Sequence, residues 1–228
     1  MGGNPLADQL GALARVMQHE TDVEGTLDSI VRSAVATVPG AEHASLSAVR
    51  GRRHVVTIAA TGELPRAVDE AQYTAGQGPC LDALYDRAAV QLPDLAHETR
   101  WPKFVALVGI LPLGSMLAVQ LYVEDDDLGG LNLDSGHPHA FTDESVRVAL
   151  LFAAHAAVAM AAAEQREHLR AALNSRDVTG QAKGILMERY KVTAAQAFAM
   201  LVQVSSITNR RLVDIAEELS STGAMPAP

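Results

Sequence analysis

A change of hydrophobic periodicity at Phe141 constrains the fold more than any other feature of this sequence. Before this residue, apolar and polar residues alternate in several short runs, a period of two that is typical of half-buried strands. Beyond it, apolar residues recur every three or four positions, which is typical of helices. The sequence therefore predicts an α+β unit with one antiparallel sheet, followed by a purely helical segment.

The α+β unit is predicted to open with a helix and a β-hairpin. Helical spacing runs from Pro5 to Thr37; Thr21-Asp22 interrupts it as a cap for its second half, and Pro39-Gly40 ends it. A short helix is predicted at 80–87, with Pro79 at its first position. Strands are predicted at 44–49, 54–60, 90–92, 116–123 and 130–133, the first two joined by a tight turn at 50–52.

A long helix is predicted to start after Thr142, which caps it, with Asp143 and Glu144 in its first turn. Its alanine-rich apolar pattern continues to Leu173, and two interpretations stay open. The helix either pairs with the same helix of a second copy over residues 143–173 or packs on the protein's own sheet.

Two shorter helices are predicted to close the chain. Thr193–Gln196 forms a capping box for the first, Thr208-Asn209 begins the second, and Gly223 ends it. Residues 224–228 are expected to be a disordered tail.

The charge is unevenly distributed along the chain. Of 228 residues, 18 are Lys or Arg and 27 are Asp or Glu, a net charge of −9. Residues 170–228 hold 7 of the basic and 5 of the acidic residues, a net of +2, which leaves −11 for residues 1–169. An acidic body with a mildly basic end is typical of a sensor joined to a module that binds a polyanion.

Several classes of protein are not expected. Cys80 is the only cysteine, which excludes an intrachain disulfide and a zinc site built on cysteines. The N-terminus does not resemble a signal peptide, and the most apolar stretch, Ala149–Ala163, is about 15 residues long, short of the ~20 that span a bilayer. We therefore expect a cytoplasmic protein without a membrane segment. The sequence has no phosphate-binding glycine loop, nucleophile elbow or group of metal ligands, so we expect neither an enzyme nor a bound metal.

The helical segment carries a family motif. Its most specific part is Ala182-Lys183-Gly184-Ile185-Leu186-Met187, within the run from Arg176 to Tyr190, and it is followed by Thr193, Ala197-Phe198, Leu201, Ser205, residues 208–212 and residues 215–218. Over residues 170–221 this pattern resembles the ANTAR domain. The resemblance implies a three-helix bundle that binds RNA, typically two adjacent stem-loops as a dimer, and thereby prevents a terminator hairpin from forming.

The resemblance and the side-chain chemistry together give a candidate RNA site. It comprises Arg176, Gln181, Lys183, Gly184, Thr208, Asn209, Arg210 and Arg211. The cations would neutralise phosphates, the amide and hydroxyl groups would form hydrogen bonds, and the glycine would let a nucleotide or another backbone come close. Structural alternatives stay open: solvated charges, helix caps for Thr208 and Asn209, and close packing for Gly184. Tyr190 and Phe198 could stack on bases, but we expect them in the core of the bundle.

The α+β unit carries pieces of a second family motif. These pieces are Gly76–Cys80, Asp94-Leu95 with Glu98, Arg100–Pro102 with Phe104, Gly129–Leu133, and Phe141-Thr142 with the helix that follows. Over residues 5–165 the chain resembles a GAF domain, which implies a pocket beside the sheet for a small molecule such as a cyclic nucleotide, haem or bilin. The chain has no cyclic-nucleotide signature and no context for bilin attachment at Cys80, so the ligand stays unknown.

Cys80 and Trp101 are the candidate sensor residues. Cys80 is predicted at the second position of a helix, where the helix dipole would lower the pKa of its thiol and favour redox chemistry. The alternative is an inert buried cysteine. His155, which lies among alanines, is expected to be an interior histidine or, as the rarer option, a haem ligand, and His137 and His139 are expected in a surface loop.

These features together predict three parts: a GAF domain with its stalk helix at 1–165, an ANTAR domain at 166–223, and the tail at 224–228. They predict a homodimeric, signal-responsive antitermination regulator whose partners are RNA hairpins. Two other functions stay open, namely DNA binding through a helix-turn-helix at 193–219 and protein–protein signalling as an adaptor.

Overall fold

The computed structural model describes residues 22–50, 54–85, 88–123 and 127–225, which belong to two compact units, one ending at Glu164 and the other beginning at Gln165. The helices are α1 (Val23–Thr37), α2 (Glu63–Ala75), α3 (Pro79–Tyr85), α4 (Pro102–Val108), α5 (Asp143–Tyr190), α6 (Ala194–Thr208) and α7 (Leu212–Thr222). The strands are β1 (His43–Arg50), β2 (His54–Ala60), β3 (Ala89–Leu92), β4 (Ser115–Val123) and β5 (Asp127–Ser135), and Leu95–His97 forms a 3₁₀ turn. The first unit is α+β and the second is helical, as the periodicity predicts.

The strands form one antiparallel sheet in the order β2-β1-β5-β4-β3. The predicted hairpin of β1 and β2 is confirmed, with Arg50 paired to His54. The turn itself, at residues 51–53, lies outside the described residues. Strand β5 is central and carries residues that reach both faces of the sheet.

The two faces of the sheet are chemically different. On one face, Leu46, Leu131 and Leu133 share an apolar cluster with α1 and with Phe152 of α5. On the other face, the buried residues of β1 and β5 are small or polar, namely Ser45, Ser47, Gly130, Asn132 and Asp134. This face is covered by α2 and α3, since Asn132 bonds to Asp69 and Ser47 lies next to Cys80.

Local sequence signals set the ends of α1 and α5. The Asp22 side chain caps α1 by accepting a hydrogen bond from the Gly25 N–H at 2.7 Å, and the helix ends at Thr37, just before Pro39-Gly40. At the start of α5, Thr142 Oγ1 accepts a bond from the Ser145 N–H at 3.4 Å. Both predicted caps are confirmed.

Helices α2 and α4 are absent from the sequence-based prediction. The apolar side of α2 does recur at helical spacing, through Leu64, Val68, Ala71 and Ala75, so the signal was present and was overlooked. Helix α4 has only seven residues, too few for a periodic pattern, although Pro102 stands at its N-terminus where proline is favoured.

The alanine-rich part of α5 is a core helix of the first unit. Phe152, Ala156 and Met160 are buried in the apolar cluster that includes the sheet, so packing on the protein's own sheet describes this part, and pairing with a second copy stays a prediction. Helix α5 has 48 residues, so it continues past Leu173 to Tyr190, and it is, within the described ranges, the one helix long and apolar enough to cross a membrane. Its most apolar window is 44% buried, and core helices pass the same test.

The second unit is built on a small core of alanine and aliphatic residues. The end of α5 contributes Ala182 and Leu186, and α6 and α7 add Ala197, Leu201, Ile215, Ala216 and Leu219. The capping box of Thr193 and Gln196 is confirmed at the start of α6. Of the expected tail, Ala224 and Met225 are described, and Met225 packs partly buried against this core.

The turn between α6 and α7 differs from the prediction. Thr208 is the last residue of α6, and Asn209, with φ of +51°, is its left-handed C-cap. Helix α7 begins at Leu212 rather than at Thr208-Asn209, and Gly223, with φ of +71°, ends it as predicted. Asparagine tolerates the left-handed conformation, so the same residue that can cap a helix start can also end one.

Candidate functional site

The last part of α5 separates its candidate RNA-binding residues by helix face. Ala182 and Leu186 are buried in the core of the second unit. At 100° per residue, Gly184 lies about 180°, Arg176 about 100° and Lys183 about 80° from the direction of that buried pair, so Gly184 points outward and the two basic residues lie on one side of it. Arg176 and Gly184 are exposed and Lys183 is half-buried. Three of the predicted residues therefore share one open surface.

Two glycines on this outward surface have no packing role within the chain. A Cβ atom built at Gly180 or at Gly184 meets no described atom within 4 Å. Close packing, the structural alternative for Gly184, is therefore wrong within the described part of the chain. Each glycine costs the helix about 1 kcal/mol relative to alanine, and its own unit gains no contact in return.

The α6–α7 turn holds four more of the eight predicted residues, Thr208 to Arg211. Thr208 Oγ1 donates to the Val204 carbonyl at 2.7 Å, and Asn209 is the C-cap of α6. Both residues therefore help to cap a helix, but they cap the end of α6 and not the start of α7, where the sequence placed them. Ser205 Oγ donates to the Arg210 carbonyl at 2.6 Å and stabilises the turn. This turn is built by local bonds before any ligand is considered.

Both arginines of the turn are paired with carboxylates of α7. Arg210 lies 2.7 Å from Glu218, and Arg211 donates two bonds to Asp214, at 3.0 and 2.7 Å. The side-chain bond to Arg211 lowers the pKa of Asp214. Arg210 lines a shallow groove of the second unit together with Gln181, so the structure brings these two predicted residues together, on the flank of α5 opposite to Lys183.

Two aromatic side chains of the second unit are at its surface. Tyr190 is 52% exposed and Phe198 is 45% exposed, so the expectation that both belong to the core was wrong. The reason is the size of the core, which is filled by three alanines and by leucine and isoleucine side chains. Exposed aromatic rings are the groups on which unpaired bases stack.

In the first unit, a network of polar side chains fills the space between the sheet and α2. Tyr73 Oη lies 2.7 Å from Ser47 Oγ and 3.2 Å from Thr57 Oγ1. Thr57 Oγ1 donates to Asp69 at 2.7 Å, and Asn132 Nδ2 donates to the other oxygen of Asp69 at 2.9 Å. We call Ser45, Ser47, Thr57, Asp69, Tyr73, Asn132 and Asp134 the polar cluster. Sequence reasoning missed it because its seven members are spread over four elements that are distant in sequence, β1, β2, α2 and β5.

Cys80 lies at the edge of this cluster and is fully buried. Burial first, and the nearby Asp69 carboxyl second, raise the pKa of the thiol to about 12. Of the two alternatives for Cys80, the buried cysteine is therefore confirmed and the thiolate favoured by the helix dipole is not, because loss of solvation outweighs the dipole of a seven-residue helix. Its Sγ lies 3.5 Å from Ser47 Oγ, and its backbone N–H donates to Gln72 at 2.8 Å.

Trp101 is also buried, and its contacts are structural. Its Nε1 donates to Asp82 at 3.1 Å, and the Arg100 guanidinium lies 4.1 Å from the centre of its ring. Arg100 in turn pairs with Glu98 at 2.5 Å and donates to the Gln91 carbonyl at 2.6 Å. These bonds tie the Arg-Trp-Pro segment to β3 and α3.

The histidines lie mainly at the surface. His155 is exposed and bonds through Nδ1 to the Leu151 carbonyl at 2.8 Å, so the expectation of an interior histidine was wrong. His137 lies 3.5 Å from Glu42, and His139 lies 3.9 Å from Asp94, both exposed in the loop before α5. Across the described ranges, no three His, Cys, Asp or Glu side chains are grouped to hold a metal ion.

An α+β unit with a polar cluster beneath its helices, joined in sequence to a helical unit with basic residues outside, defines a class of regulatory protein. Family models identify both parts: a GAF domain matches residues 20–161 and an ANTAR domain matches residues 167–219. The chain therefore belongs to the GAF family, carries an ANTAR domain, and is a signal-regulated regulator of the ANTAR type.

Solved structures show the same fold at low sequence identity. The GAF domain of a phosphoenolpyruvate-protein phosphotransferase from Coxiella burnetii is 17% identical, with a TM-score of 0.55 over 72% of this chain and 96% of that one. The free methionine-R-sulfoxide reductase of Neisseria meningitidis is 18% identical, with a TM-score of 0.56 over 72% and 95%.

A longer match is the bacteriophytochrome RpBphP3 of R. palustris, 12% identical, with a TM-score of 0.63 over 90% of this chain and 47% of that one. At these identities the likeness concerns the fold alone. Among curated proteins, none matches this chain.

Proposed function

We propose that this protein is a cytoplasmic, non-enzymatic transcription antiterminator that binds RNA hairpins through its ANTAR domain under the control of its GAF domain. The observation that carries the proposal is the outward surface of α5. There Arg176 and Gly184 are exposed, Lys183 lies half-buried beside them, and Gly184 leaves open space that its own unit does not use.

The chemistry of this surface suits looped RNA. Arg176 and Lys183 supply positive charge for phosphates, and Met187 is 37% exposed on the same half of the helix. Tyr190 and Phe198 supply exposed rings for stacking in the same domain. Unpaired loop bases present open faces and edges to such groups, whereas the deep groove of an A-form duplex does not.

The protein acts as a homodimer in this proposal. Leu169 is 61% exposed and Leu173 is 54% exposed, one helical turn apart on α5. Apolar residues at this spacing on an unpartnered helix face favour pairing with the same helix of a second copy. Two copies would place two RNA-binding surfaces together, one for each of two adjacent stem-loops.

DNA binding through α6 and α7 is the weaker candidate. A recognition helix must approach a polyanion, but α7 contains Asp214, Glu217 and Glu218 and no basic residue. The arginines that precede α7 are already paired with two of these carboxylates. The negative charge of α7 therefore disfavours a duplex in contact with it.

Gel shifts over a salt series test the proposal, with a paired stem-loop RNA and a duplex DNA of equal length. Arg176→Ala and Lys183→Ala should each weaken RNA binding and reduce the slope of log affinity against log salt by about 0.7–0.9, as expected for the loss of one phosphate contact. Lys103→Ala, which removes one exposed charge from the GAF unit, is the matched control and should change neither. Unchanged RNA binding in both test variants, or tighter binding of the duplex DNA, contradicts the proposal.

A further inference from the structure

Two carboxyl groups of the polar cluster are buried without an ion-pair partner among the described residues, although the charge of the exposed Arg66 lowers the pKa of one of them, Asp69. Asp69 on α2 and Asp134 on β5 are each 1% exposed. The buried polar residues of the described chain include no lysine or arginine. None of the ion pairs between described residues involves the carboxyl group of Asp69 or Asp134. Burial of an unpaired charge is costly, so a structure that retains two needs something to offset them.

The hydrogen bonds of the cluster are unevenly shared. Both oxygens of Asp69 accept bonds, from Thr57 and from Asn132. Both oxygens of Asp134 are buried without a donor, and so is the Oδ1 of Asn132. Asn132 is fully buried and its Nδ2 is held by Asp69, so the amide belongs to the cluster.

These three unpartnered acceptors come from one face of one strand. Asn132 and Asp134 are two positions apart on β5, so both side chains lie on the face that α2 covers. A proton on Asp134 would neutralise one charge, but it would still leave a carboxyl oxygen of that residue without a donor. A cation satisfies several oxygen acceptors at once.

We propose that the polar cluster binds one small monovalent cation, of the size of ammonium or potassium, between the Asp134 carboxylate and the Asn132 amide oxygen, with Asp69 close by. Three free acceptors match the N–H donors of an ammonium group and the oxygen ligands that an alkali ion prefers. This proposal goes beyond RNA binding and does not depend on it.

Thermal unfolding of the full chain tests the proposal at pH 8 and constant chloride concentration. Tetramethylammonium chloride, whose cation is too large and has no N–H, is replaced stepwise by ammonium chloride or by potassium chloride. A bound ion should raise Tm saturably, and at ten times its Kd it should favour the folded state about eleven-fold. A response to ammonium alone assigns the site to N–H donors, and a response to both ions assigns it to charge and size; either supports the proposal.

Asp134→Asn keeps the shape of the side chain and removes its charge, and it should abolish the response. Glu70→Gln, next to Asp69 but exposed, is the matched control and should retain it. As a readout that needs no variant, a bound ¹⁵N-ammonium ion, protected from exchange, should give its own proton–nitrogen resonance. Equal Tm values in all three salts with no such resonance overturn the proposal, as does a response that persists in Asp134→Asn.

Discussion

Gly184→Ala separates the two properties that the outward surface of α5 combines, helix stability and RNA binding. The glycine is interior to α5, is exposed, and leaves nothing within 4 Å of an added Cβ. Alanine should therefore stabilise the helix by about 1 kcal/mol, because it removes the backbone entropy cost without a clash. For the second unit, which begins at Gln165 and has about 60 residues, that gain corresponds to a Tm increase of roughly 4–8 °C.

RNA binding should move in the opposite direction. If a nucleotide approaches the backbone at Gly184, one methyl group there should weaken binding at least about ten-fold, a loss of about 1.4 kcal/mol. Gly180→Ala is the matched control, since Gly180 is also exposed on α5 and also open, but lies outside the Ala182–Met187 segment. It should give the same stabilisation and leave RNA affinity unchanged.

Circular dichroism melts and gel shifts on the full chain measure both effects in the same preparations. A Gly184→Ala protein that is less stable than the wild type would show that the site is packed against something after all. A more stable protein that binds RNA as Gly180→Ala does would show that no nucleotide comes close to this residue. Either result would refute the reasoning from the open space.

Three further outcomes are expected in the first unit. A thiol reagent at neutral pH should label native Cys80 slowly and the urea-unfolded chain fast, because burial raises the pKa of the thiol to about 12; equally fast labelling of both states contradicts this. Burial raises the pKa of Asp69 from 3.8 to about 6, so the folded state holds the proton of this carboxyl group more tightly than the unfolded state does. In tetramethylammonium buffer, the free energy of unfolding should therefore fall by about 3 kcal/mol as the pH rises from 4 to 6, and then level off. Urea titration of Asp69→Asn should show that this part of the pH dependence is lost. Gly78→Ala should lower stability by roughly 1–3 kcal/mol, because Gly78 has φ of +147° and a Cβ there would lie 2.4 Å from the Gln72 side chain; an unchanged Tm would contradict this.

The elements that could be predicted from the sequence are those whose own residues carry the signal. Strands β1 and β2 alternate in polarity, the Thr193–Gln196 box caps α6, and Gly223 stops α7. Helix α2 also carries such a signal, in the helical spacing of Val68, Ala71 and Ala75, and the sequence-based prediction missed it. What could not be predicted is that its buried face also presents Asp69 and Gln72 to partners on other elements. The polarity of such a face makes sense only once the sheet beneath it is in place.

The candidate site was predictable in composition but not in arrangement. The basic residues were identified from the motif, but their division between the outward surface of α5 and the α6–α7 turn depends on which face of α5 packs inward. Tyr190 and Phe198 were misplaced because aromatic residues are usually counted as core, while this core is filled by residues such as Ala182 and Leu186. The pairing of Arg210 with Glu218 needs the turn to be folded first.

Strand β5 gives the first unit a direct path from its polar cluster to α5. Asn132 and Asp134 face α2, while Leu131 and Leu133, their immediate neighbours in sequence, pack in the cluster that contains Phe152 of α5. Unsatisfied polar groups on one face lower stability, so a ligand that satisfies them gains binding energy there. The apolar face of the sheet offers no comparable binding energy to a ligand, because its side chains are already packed against one another and against α5. We therefore predict that a ligand in the polar cluster that shifts β5 would also shift the leucines that α5 packs against, and that the sheet would couple the signal to the helix.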